Sequence, residues 1–386
     1  GLGLGIDYSL LIVNRFREEL HAGKSVDEAI KRTVSTAGKT VFYSGLTIVI
    51  TLASLTLFPL MFLKSFGYAG VTVVIMAVLG SLIALPALLA ILGKRIDKAV
   101  IRKSAITPKE DGRWAQTARF VMRRPVAVVV LSLVILSVLA APIKNIVFSQ
   151  VDSRVLPASN PAAFASKIIS DRFPGQEGNP VEIVIPNGAL VQEEVNQYIS
   201  EVAKVDGIVR VSPPQILDSD LRITAVHSMP PRTLPAESLI KDIRALKSPE
   251  GTLIGGIAAD YADTQIGIAR TMPWALTWIA VGVLVLLFVF TGSIILPIKA
   301  VILNILSLAA TLGAITWIFV DGHLRWLVGD FTVTGAVDTG SIILVAVVAF
   351  GLSMDYELFL LSRIKEEHDA GKSNIESVAI GLQRSA

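Results

Sequence analysis

The chain contains no cysteine among its 386 residues, which excludes disulfide bridges, iron-sulfur clusters and zinc sites held by thiolates. Histidine is almost as scarce, and the four histidines lack the spacing of metal ligands: His21, His227, His323 and His368. Charged residues make up only 17% of the chain, and no basic stripe is interleaved with aromatic residues. No metal, no cofactor and no nucleic-acid partner is therefore predicted.

Apolar residues are abundant instead. They make up 52% of the chain, and the mean hydropathy is +0.63, which is too apolar for a soluble globular protein. Seven apolar runs have about the ~20 residues that a helix needs to cross a bilayer. We predict an α-helical polytopic membrane protein with spans at 1–14, 40–63, 67–93, 126–142, 273–290, 297–320 and 340–362.

The positions of lysine and arginine predict the orientation of these spans. Basic residues crowd the stretches 15–39 and 94–124, whereas Lys64 is alone between the second and third spans. Because cytoplasmic loops carry the excess of positive charge, both basic stretches are predicted to be cytoplasmic and 143–272 to be extracytoplasmic. We interpret the linker 94–124 as running along the membrane surface, near anionic lipid head groups or a cytosolic partner.

One sequence is written twice, 348 residues apart. GLGLGIDYSLLIVNRFREELHAGKS starts at Gly1 and AFGLSMDYELFLLSRIKEEHDAGKS at Ala349, and 13 of 38 aligned positions are identical. Both copies carry Asp-Tyr within an apolar helix, as Asp7-Tyr8 and Asp355-Tyr356. Five spans separate them, so the copies cross in the same direction and predict parallel pseudo-repeats.

The two aspartates are the main candidate site. Asp355 lies eight residues before Arg363, about 12 Å from the helix end at 1.5 Å per residue. A carboxylate in hydrocarbon is costly, and no lysine or arginine is expected beside it, so Asp355 suits a group that loads and unloads protons. Adjacent side chains on a helix point about 100° apart. We therefore expect Tyr8 to bond Asp355 and Tyr356 to bond Asp7, in one proton-relay cluster.

Other polar and small residues are weaker candidates. Gly3, Gly5, Gly351 and Ser353 would let the two Asp-Tyr helices approach closely. Asn304 and Ser307 are interpreted as polar contacts between helices or as lining of a pathway. The alternative for the Asp-Tyr pairs themselves is a hydrogen bond that only fixes helix packing.

Both Asp-Tyr helices end in the same way. Arg15-x-x-Glu18-Glu19 and its second copy predict local ion pairs on the surface. Gly23 and Gly371 suit the position after a helix end, and the S-x-x-E patterns at Ser25 and Ser373 predict capping boxes of a second, amphipathic helix.

The segment 143–272 has the alternating pattern of an α+β domain. Asn160-Pro161 predicts a helix start, with the helix running to about Phe173. Strands are predicted at 181–186, 208–212, 221–229 and 252–257, and helices at 191–204 and 235–247. The order β-α-β-β-α-β is that of a ferredoxin-like domain.

These patterns predict two halves joined by a linker. The first half has membrane helices over 1–93, with an amphipathic cytoplasmic helix at 25–38, and the linker is 94–124. The second half has its first helix over 125–142, the external domain 143–272, membrane helices over 273–363, and a cytoplasmic turn and helix start over 364–386. If the first copy is built like the second, three spans and an external domain precede Gly1 and two spans follow Ala386. Twelve spans and two external domains are then expected.

The chain resembles the MMPL (mycobacterial membrane protein large) transporters of the resistance-nodulation-division (RND) superfamily, in particular the actinobacterial type. The matching stretches include GLGLGIDYSLLIVNRFREE, DSRVLPASNPA, LPIKAVILNILSLAATLGAITWIFVDG and GLSMDYELFLLSRIKEEHDAGK. The resemblance implies the RND transporter fold, with this chain corresponding to helices four to ten. It also implies proton-motive-force-driven export of lipids or other hydrophobic molecules across the bacterial inner membrane, with Asp7, Tyr8, Asp355 and Tyr356 relaying protons.

Three other functions remain open from the sequence. One is a protein-export helper or sterol-sensing relative within the same superfamily. Another is an intramembrane aspartyl protease, because GLGIDY is similar to the Gly-x-Gly-Asp type of membrane motif. The third is a passive lipid receptor with a structural Asp pair. The sequence leaves the cargo undetermined, and a monomer and a trimer both remain open.

Overall fold

The computed structural model describes residues 1–97, 112–156, 159–173, 175–329 and 331–385. The chain divides into two compact units. The first, here called the membrane unit, comprises 1–143, 273–314 and 343–386. The second, here called the α+β unit, comprises 144–272 and 315–342. The predicted linker 94–124 lies partly outside the described residues.

Fifteen α-helices are described, and several are joined by short 3₁₀ or π segments. In chain order they are α1 Leu2–His21, α2 Val26–Thr33, α3 Lys39–Ala53, α4 Met61–Leu79, α5 Leu85–Leu92, α6 Arg113–Arg123, α7 Pro125–Ala140, α8 Pro161–Arg172, α9 Gln192–Val202, α10 Leu234–Ala245, α11 Ile257–Thr291, α12 Ile295–Ile315, α13 Arg325–Val328, α14 Thr339–Asp369 and α15 Asn374–Ser385.

Seven short strands accompany them. They are β1 Phe148–Ser149, β2 Val181–Ile185, β3 Ile208–Val211, β4 Gln215–Leu217, β5 Asp220–His227, β6 Leu253–Gly255 and β7 Val337–Asp338.

Among the described residues, six continuous helical stretches are long and apolar enough to cross a membrane: Val26–Leu57, Met61–Asp97, Pro125–Asn145, Ile257–Thr291, Ile295–Val320 and Thr339–Asp369. They correspond to six of the seven predicted spans. The helix α1, which contains the predicted span 1–14, is not among the six, so that span stays a prediction.

The boundary between the second and third spans was predicted wrongly. Leu57 ends the second stretch and Met61 begins the third, so Lys64 lies within α4 and not between spans. The break falls at Pro59, whose missing N–H and fixed φ are unfavourable inside a helix. The amphipathic helix predicted at 25–38 is not separate from the second span either, because a π segment at Val34–Gly38 joins α2 to α3.

The α+β unit contains the predicted β-α-β-β-α-β order. Its sheet has the strand order β3-β5-β2-β6, and β4 also pairs with β5. The pairs β2·β5, β2·β6 and β3·β5 are all antiparallel, which is the ferredoxin-like arrangement. A hairpin strand, β4, was not predicted. The helix start at Asn160-Pro161 is confirmed, since the Asn160 side chain accepts from the Ala162 N–H at 2.9 Å.

The core of the α+β unit lies on one face of this sheet. Alternate residues of β2 are fully buried, as period-2 patterning requires. They pack against the apolar faces of α9 and α10 and the start of α11, in a cluster that includes Ile183, Tyr198, Ile223, Ile240 and Ala259. Each large buried side chain contributes about 1.5–3 kcal/mol.

Candidate functional site

Asp355 is buried in the membrane unit. Its side chain lies on α14 in an apolar helix and only 1% of its surface is exposed. The Ser44 hydroxyl of α3 hydrogen-bonds the Asp355 carboxylate, and the Ser44 and Tyr8 hydroxyl oxygens are 3.0 Å apart. Tyr8 and Ser44 are both fully buried. Three helices, α1, α3 and α14, therefore meet at one carboxyl group.

The order of donors in this cluster follows from its chemistry. An ionised carboxylate only accepts, and Ser44 has a single proton. Ser44 therefore donates to Asp355 and accepts from Tyr8. If Asp355 gains a proton, the carboxylic acid can donate to Ser44 and the hydroxyl groups can rotate. The direction of these hydrogen bonds then reverses without movement of a heavy atom.

The second pair is more open. The Tyr356 hydroxyl donates to Asp7 at 3.4 Å, with Asp7 half-buried and the Tyr356 side chain 58% exposed. Among the described residues, neither Asp7 nor Asp355 forms an ion pair with lysine, arginine or histidine. One aspartate is thus sealed within the helices, and the other is accessible.

The predicted cross-pairing is right for one pair and incomplete for the other. Tyr356 does reach Asp7 across the helix interface, whereas Tyr8 reaches Asp355 through Ser44. Sequence reasoning missed Ser44, which lies outside the duplicated segment.

The small residues act differently from the prediction. A Cβ at Gly3 or Gly5 would meet nothing within 4 Å in the described part of the chain. A Cβ at Gly351 would lie 2.5 Å from the Thr51 hydroxyl oxygen. The close approach is therefore between α14 and α3, and the expectation that these glycines bring α1 and α14 together is wrong.

Of the weaker polar candidates, only Asn304 lies in a buried contact. Its amide donates to the Ala300 carbonyl at 3.0 Å and to the Glu357 carboxylate at 3.2 Å. Glu357 is a further carboxyl group in the membrane helix, and sequence reasoning missed it. Ser307 and Ser353 are exposed and lie outside this contact.

A stripe of hydroxyl groups runs along the α2–α3 helix. The residues recur every three or four positions, which places them on one face. The stripe comprises Thr33, Thr36, Thr40, Ser44, Thr47, Thr51 and Ser54. All of them except Thr36 are buried. The hydroxyl groups of Thr40 and of Ser362 on α14 form a hydrogen bond, with their oxygens 2.8 Å apart. This spacing is the sequence signal that could have identified Ser44.

A polar cavity of about 500 Å³ lies at the end of α14 that carries Arg363. Thr36, Thr40 and Ser362 contribute hydroxyl groups to its lining. The lining also has five basic and two acidic side chains: Arg15, Arg32, Lys39, Arg363 and Lys365, with Glu366 and Asp369.

The charged ends of α1 and α14 form a cluster that joins the two copies of the repeat. Arg15 contacts Glu366 at 2.7 Å, and Arg363 contacts Glu18 at 3.7 Å. The predicted local pairs also form, such as Arg15 with Glu19 at 3.0 Å. The prediction that they are surface pairs is wrong, because Arg15 and Arg363 are buried. Glu19 and Glu367, which are also buried, pair with Lys24 and Lys372.

The turns after both helices are as predicted. Gly23 and Gly371 have φ of 85° and 88°, a conformation that residues with a Cβ rarely adopt. Ser25 with Glu28, and Ser373 with Glu376, form complete capping boxes.

The MMPL family model matches residues 1–128 and 236–386. The chain belongs to the MMPL family. It is 38% identical to a membrane protein of Streptomyces coelicolor, over all of this chain and 53% of that protein. It is 33% identical to the trehalose monomycolate exporter MmpL3 of Mycobacterium tuberculosis, over 99% of this chain and 45% of MmpL3. It is 31% identical to the mycolic acid-containing lipids exporter MmpL11 of Mycolicibacterium smegmatis, over 100% of this chain and 42% of MmpL11.

A solved structure supports the fold. The chain aligns with SecDF, a translocon-associated membrane protein from Thermus thermophilus, with a TM-score of 0.53 and 15% identity, over 100% of this chain and 46% of SecDF. The predicted fold, an α-helical polytopic membrane protein with an α+β domain, is confirmed, and this MMPL protein is a multi-pass protein of the bacterial cytoplasmic membrane. The chain spans about half the length of the curated relatives it matches.

Proposed function

We propose that this MMPL protein is a secondary transporter that uses the proton motive force to export lipids or other hydrophobic molecules. Asp7, Tyr8, Asp355 and Tyr356 would relay the protons, and residues 143–272 would lie outside the cytoplasm. The names of MmpL3 and MmpL11 support a lipid cargo. Proton coupling is supported by the buried Asp355 carboxyl group. Ser44 hydrogen-bonds it, and no cation lies beside it in the described structure.

Buried Asp355 has the properties that a proton-coupled step needs. Its ionised form is costly in the membrane unless the surroundings change, so gain or loss of a proton shifts the balance between conformations. The Asp7 pair is more accessible and offers a second site at which a proton can bind.

The alternatives differ in what they require of Asp355. Likeness to SecDF at 15% identity concerns the fold alone, whereas the MMPL relatives at 31–38% identity include two named exporters. A protease would cleave a peptide bond with both aspartates, and a structural pair would need only hydrogen bonds.

The test uses Asp355→Asn in the full-length protein, with Asp27→Asn as a matched control on an exposed position of α2. We expect Asp355→Asn to keep expression and fold but to abolish export and its dependence on the proton gradient. Asp27→Asn should transport as the wild type does. Gradient-driven export that persists in Asp355→Asn would overturn the proposal, and a peptide cleavage lost in the same variant would favour the protease.

A further inference from the structure

We propose that the hydroxyl pair Thr40–Ser362 and the polar cavity below it form the route by which the proton of Asp355 leaves to the cytoplasm. This inference rests on the proposed function and adds the path on one side of the relay. Thr40 belongs to α3 and Ser362 to α14, the same two helices that hold Ser44 and Asp355.

The first observation is the position of the pair. The two hydroxyl oxygens are 2.8 Å apart, and both residues line the cavity of about 500 Å³. Thr40 is buried, with 4% of its surface exposed. A cavity of this size with several polar groups has room for water, which needs two to four polar partners.

The second observation is the connection from the pair to Asp355. Thr40 and Ser44 are four residues apart on the helix, a rise of about 6 Å at 1.5 Å per residue. One water molecule spans such a gap with two ordinary hydrogen bonds. Ser44 already bonds Asp355. The proposed line then comprises cavity water, the Thr40–Ser362 pair, one bridging water, Ser44 and the carboxyl group.

Proton transfer along this line is balanced at every oxygen. The protonated Asp355 gives its proton to Ser44 as Ser44 passes its own proton to the bridging water. That water passes one to Thr40, Thr40 to Ser362, and Ser362 to water in the cavity. Each hydroxyl breaks one O–H bond as it forms another, and Asp355 is left as a carboxylate. Serine and threonine suit this because each hydroxyl both donates and accepts.

The positive charge around the cavity favours release of a proton from it over uptake of a proton into it. Five basic side chains and two acidic ones line it. Arg15 and Arg363 are partly neutralised by glutamates, whereas Arg32, Lys39 and Lys365 lie exposed at its edge. A positive potential lowers the local concentration of protons. A proton that reaches the cavity is therefore driven outwards to bulk water.

The competing explanation is that Thr40–Ser362 is only a hydrogen bond that holds two membrane helices together, which such residues commonly do. Both roles need a hydrogen bond, but only a proton route needs hydroxyl groups in contact with water. The test therefore measures proton movement and water access as well as folding.

The first measurement is proton flux into proteoliposomes that contain the full-length protein and an entrapped pH-sensitive dye, under an imposed proton gradient. Thr40→Val combined with Ser362→Ala removes both hydroxyl groups. Thr40→Ser combined with Ser362→Thr keeps both. Ser81→Ala removes an equally buried hydroxyl group that does not line the cavity.

We expect the first double variant to lower the initial proton flux by about tenfold or more, as loss of a proton-transfer group does. Its melting temperature in detergent should remain close to that of the conservative double variant. Flux should be retained by the conservative pair and by Ser81→Ala. Wild-type flux in the variant that lacks both hydroxyls would overturn the inference, and so would equal loss in the conservative pair.

The second measurement is access of water to Ser362. Because the 386 residues contain no cysteine, Ser362→Cys introduces one thiol into this part of the protein. A membrane-impermeant anionic thiol reagent, which the positive cavity does not repel, should label it in inside-out vesicles, whereas Ser81→Cys should stay unlabelled. Absence of labelling of Ser362→Cys, in a preparation in which Asp27→Cys at an exposed position is labelled, would contradict the inference.

The outcomes separate this inference from the proposed function. If Asp355→Asn stops proton flux but the variant without both hydroxyls does not, the relay stands and the route is wrong. If Asp355→Asn leaves flux intact, the proposed function itself fails.

Discussion

At the residue scale, Ser44 is the group that joins a tyrosine and an aspartate from different copies of the repeat. Ser44 lies outside the duplicated segment, so that segment alone predicts two equivalent Asp-Tyr pairs. The structure has one sealed pair and one open pair instead. Within the described chain, α3 covers Asp355 through Ser44.

Ser44→Ala tests this connection. Loss of the hydroxyl leaves the Tyr8 and Asp355 groups buried without their shared partner, which costs about 1–3 kcal/mol. We expect proton-driven export to fall sharply, with Ser44→Thr retaining most of it because a hydroxyl remains. Export assays on the two variants, normalised to protein in the membrane, check the prediction. Equal activity of Ser44→Ala and wild type would contradict it.

His227 gives the α+β unit a pH dependence. Burial lowers the pKa of His227, since the charged imidazole loses its hydration, although the Asn179 carbonyl accepts from Nε2 at 3.1 Å. The unfolded state then binds more protons between the ordinary pKa of about 6.5 and the lowered one. Stability is full above pH 6.5 and is lost as the pH falls through that window.

Hydrogen exchange of peptides that cover β5, corrected for its intrinsic pH dependence, checks this in the whole protein. Protection should decrease from pH 7.5 to pH 5. His227→Gln should flatten that decrease, because no group there gains a proton. A decrease of the same size in His227→Gln would show that other groups are responsible.

At the scale of elements, the sheet and the helix caps were predictable from local patterns, whereas the contacts between membrane helices were not. Period-2 alternation in VEIVI and the S-x-x-E boxes depend on neighbours in sequence. A membrane helix is apolar all round, so its pattern does not show which face contacts another helix. The hydroxyl stripe on α2–α3 is the exception, because its three-four spacing marks a face.

Gly351 tests the approach of α14 to α3. A methyl group at Gly351 would lie 2.5 Å from the Thr51 hydroxyl, so either the Thr51 side chain or the two helices must shift. We expect Gly351→Ala to lower thermal stability by about 1–3 kcal/mol and to weaken export. Gly3→Ala, at the equivalent position of the first copy, meets nothing within 4 Å in the described chain and is the control. Similar effects of the two substitutions would contradict the packing described.

At the scale of the whole chain, the two copies of the repeat are held together at their charged ends. Arg15 and Arg363 each contact glutamates of both copies. The repeat in the sequence identified these arginines and glutamates. It could not show that each arginine pairs with glutamates of its own copy and of the other copy. That arrangement requires α1 and α14 to lie side by side, which depends on distant parts of the chain.

A double-mutant cycle on Arg15→Gln and Glu366→Gln measures this contact. Because Arg15 is 8% exposed, we expect a coupling free energy of about 1 kcal/mol or more. The exposed pair Lys167–Asp171, at 2.6 Å, is the control and should couple by no more than about 0.5 kcal/mol. Thermal unfolding in detergent supplies the values. Equal coupling in both pairs would show that burial does not strengthen the contact.

The proposed relay requires Asp355 to gain and lose a proton inside the membrane unit. Infrared difference spectroscopy of the reconstituted full-length protein measures this directly, through the carbonyl stretch of a protonated carboxylic acid after a change of pH. We predict a pH-dependent band in the wild type that disappears in Asp355→Asn and persists in Asp27→Asn. An identical difference spectrum in the wild type and in Asp355→Asn would contradict it.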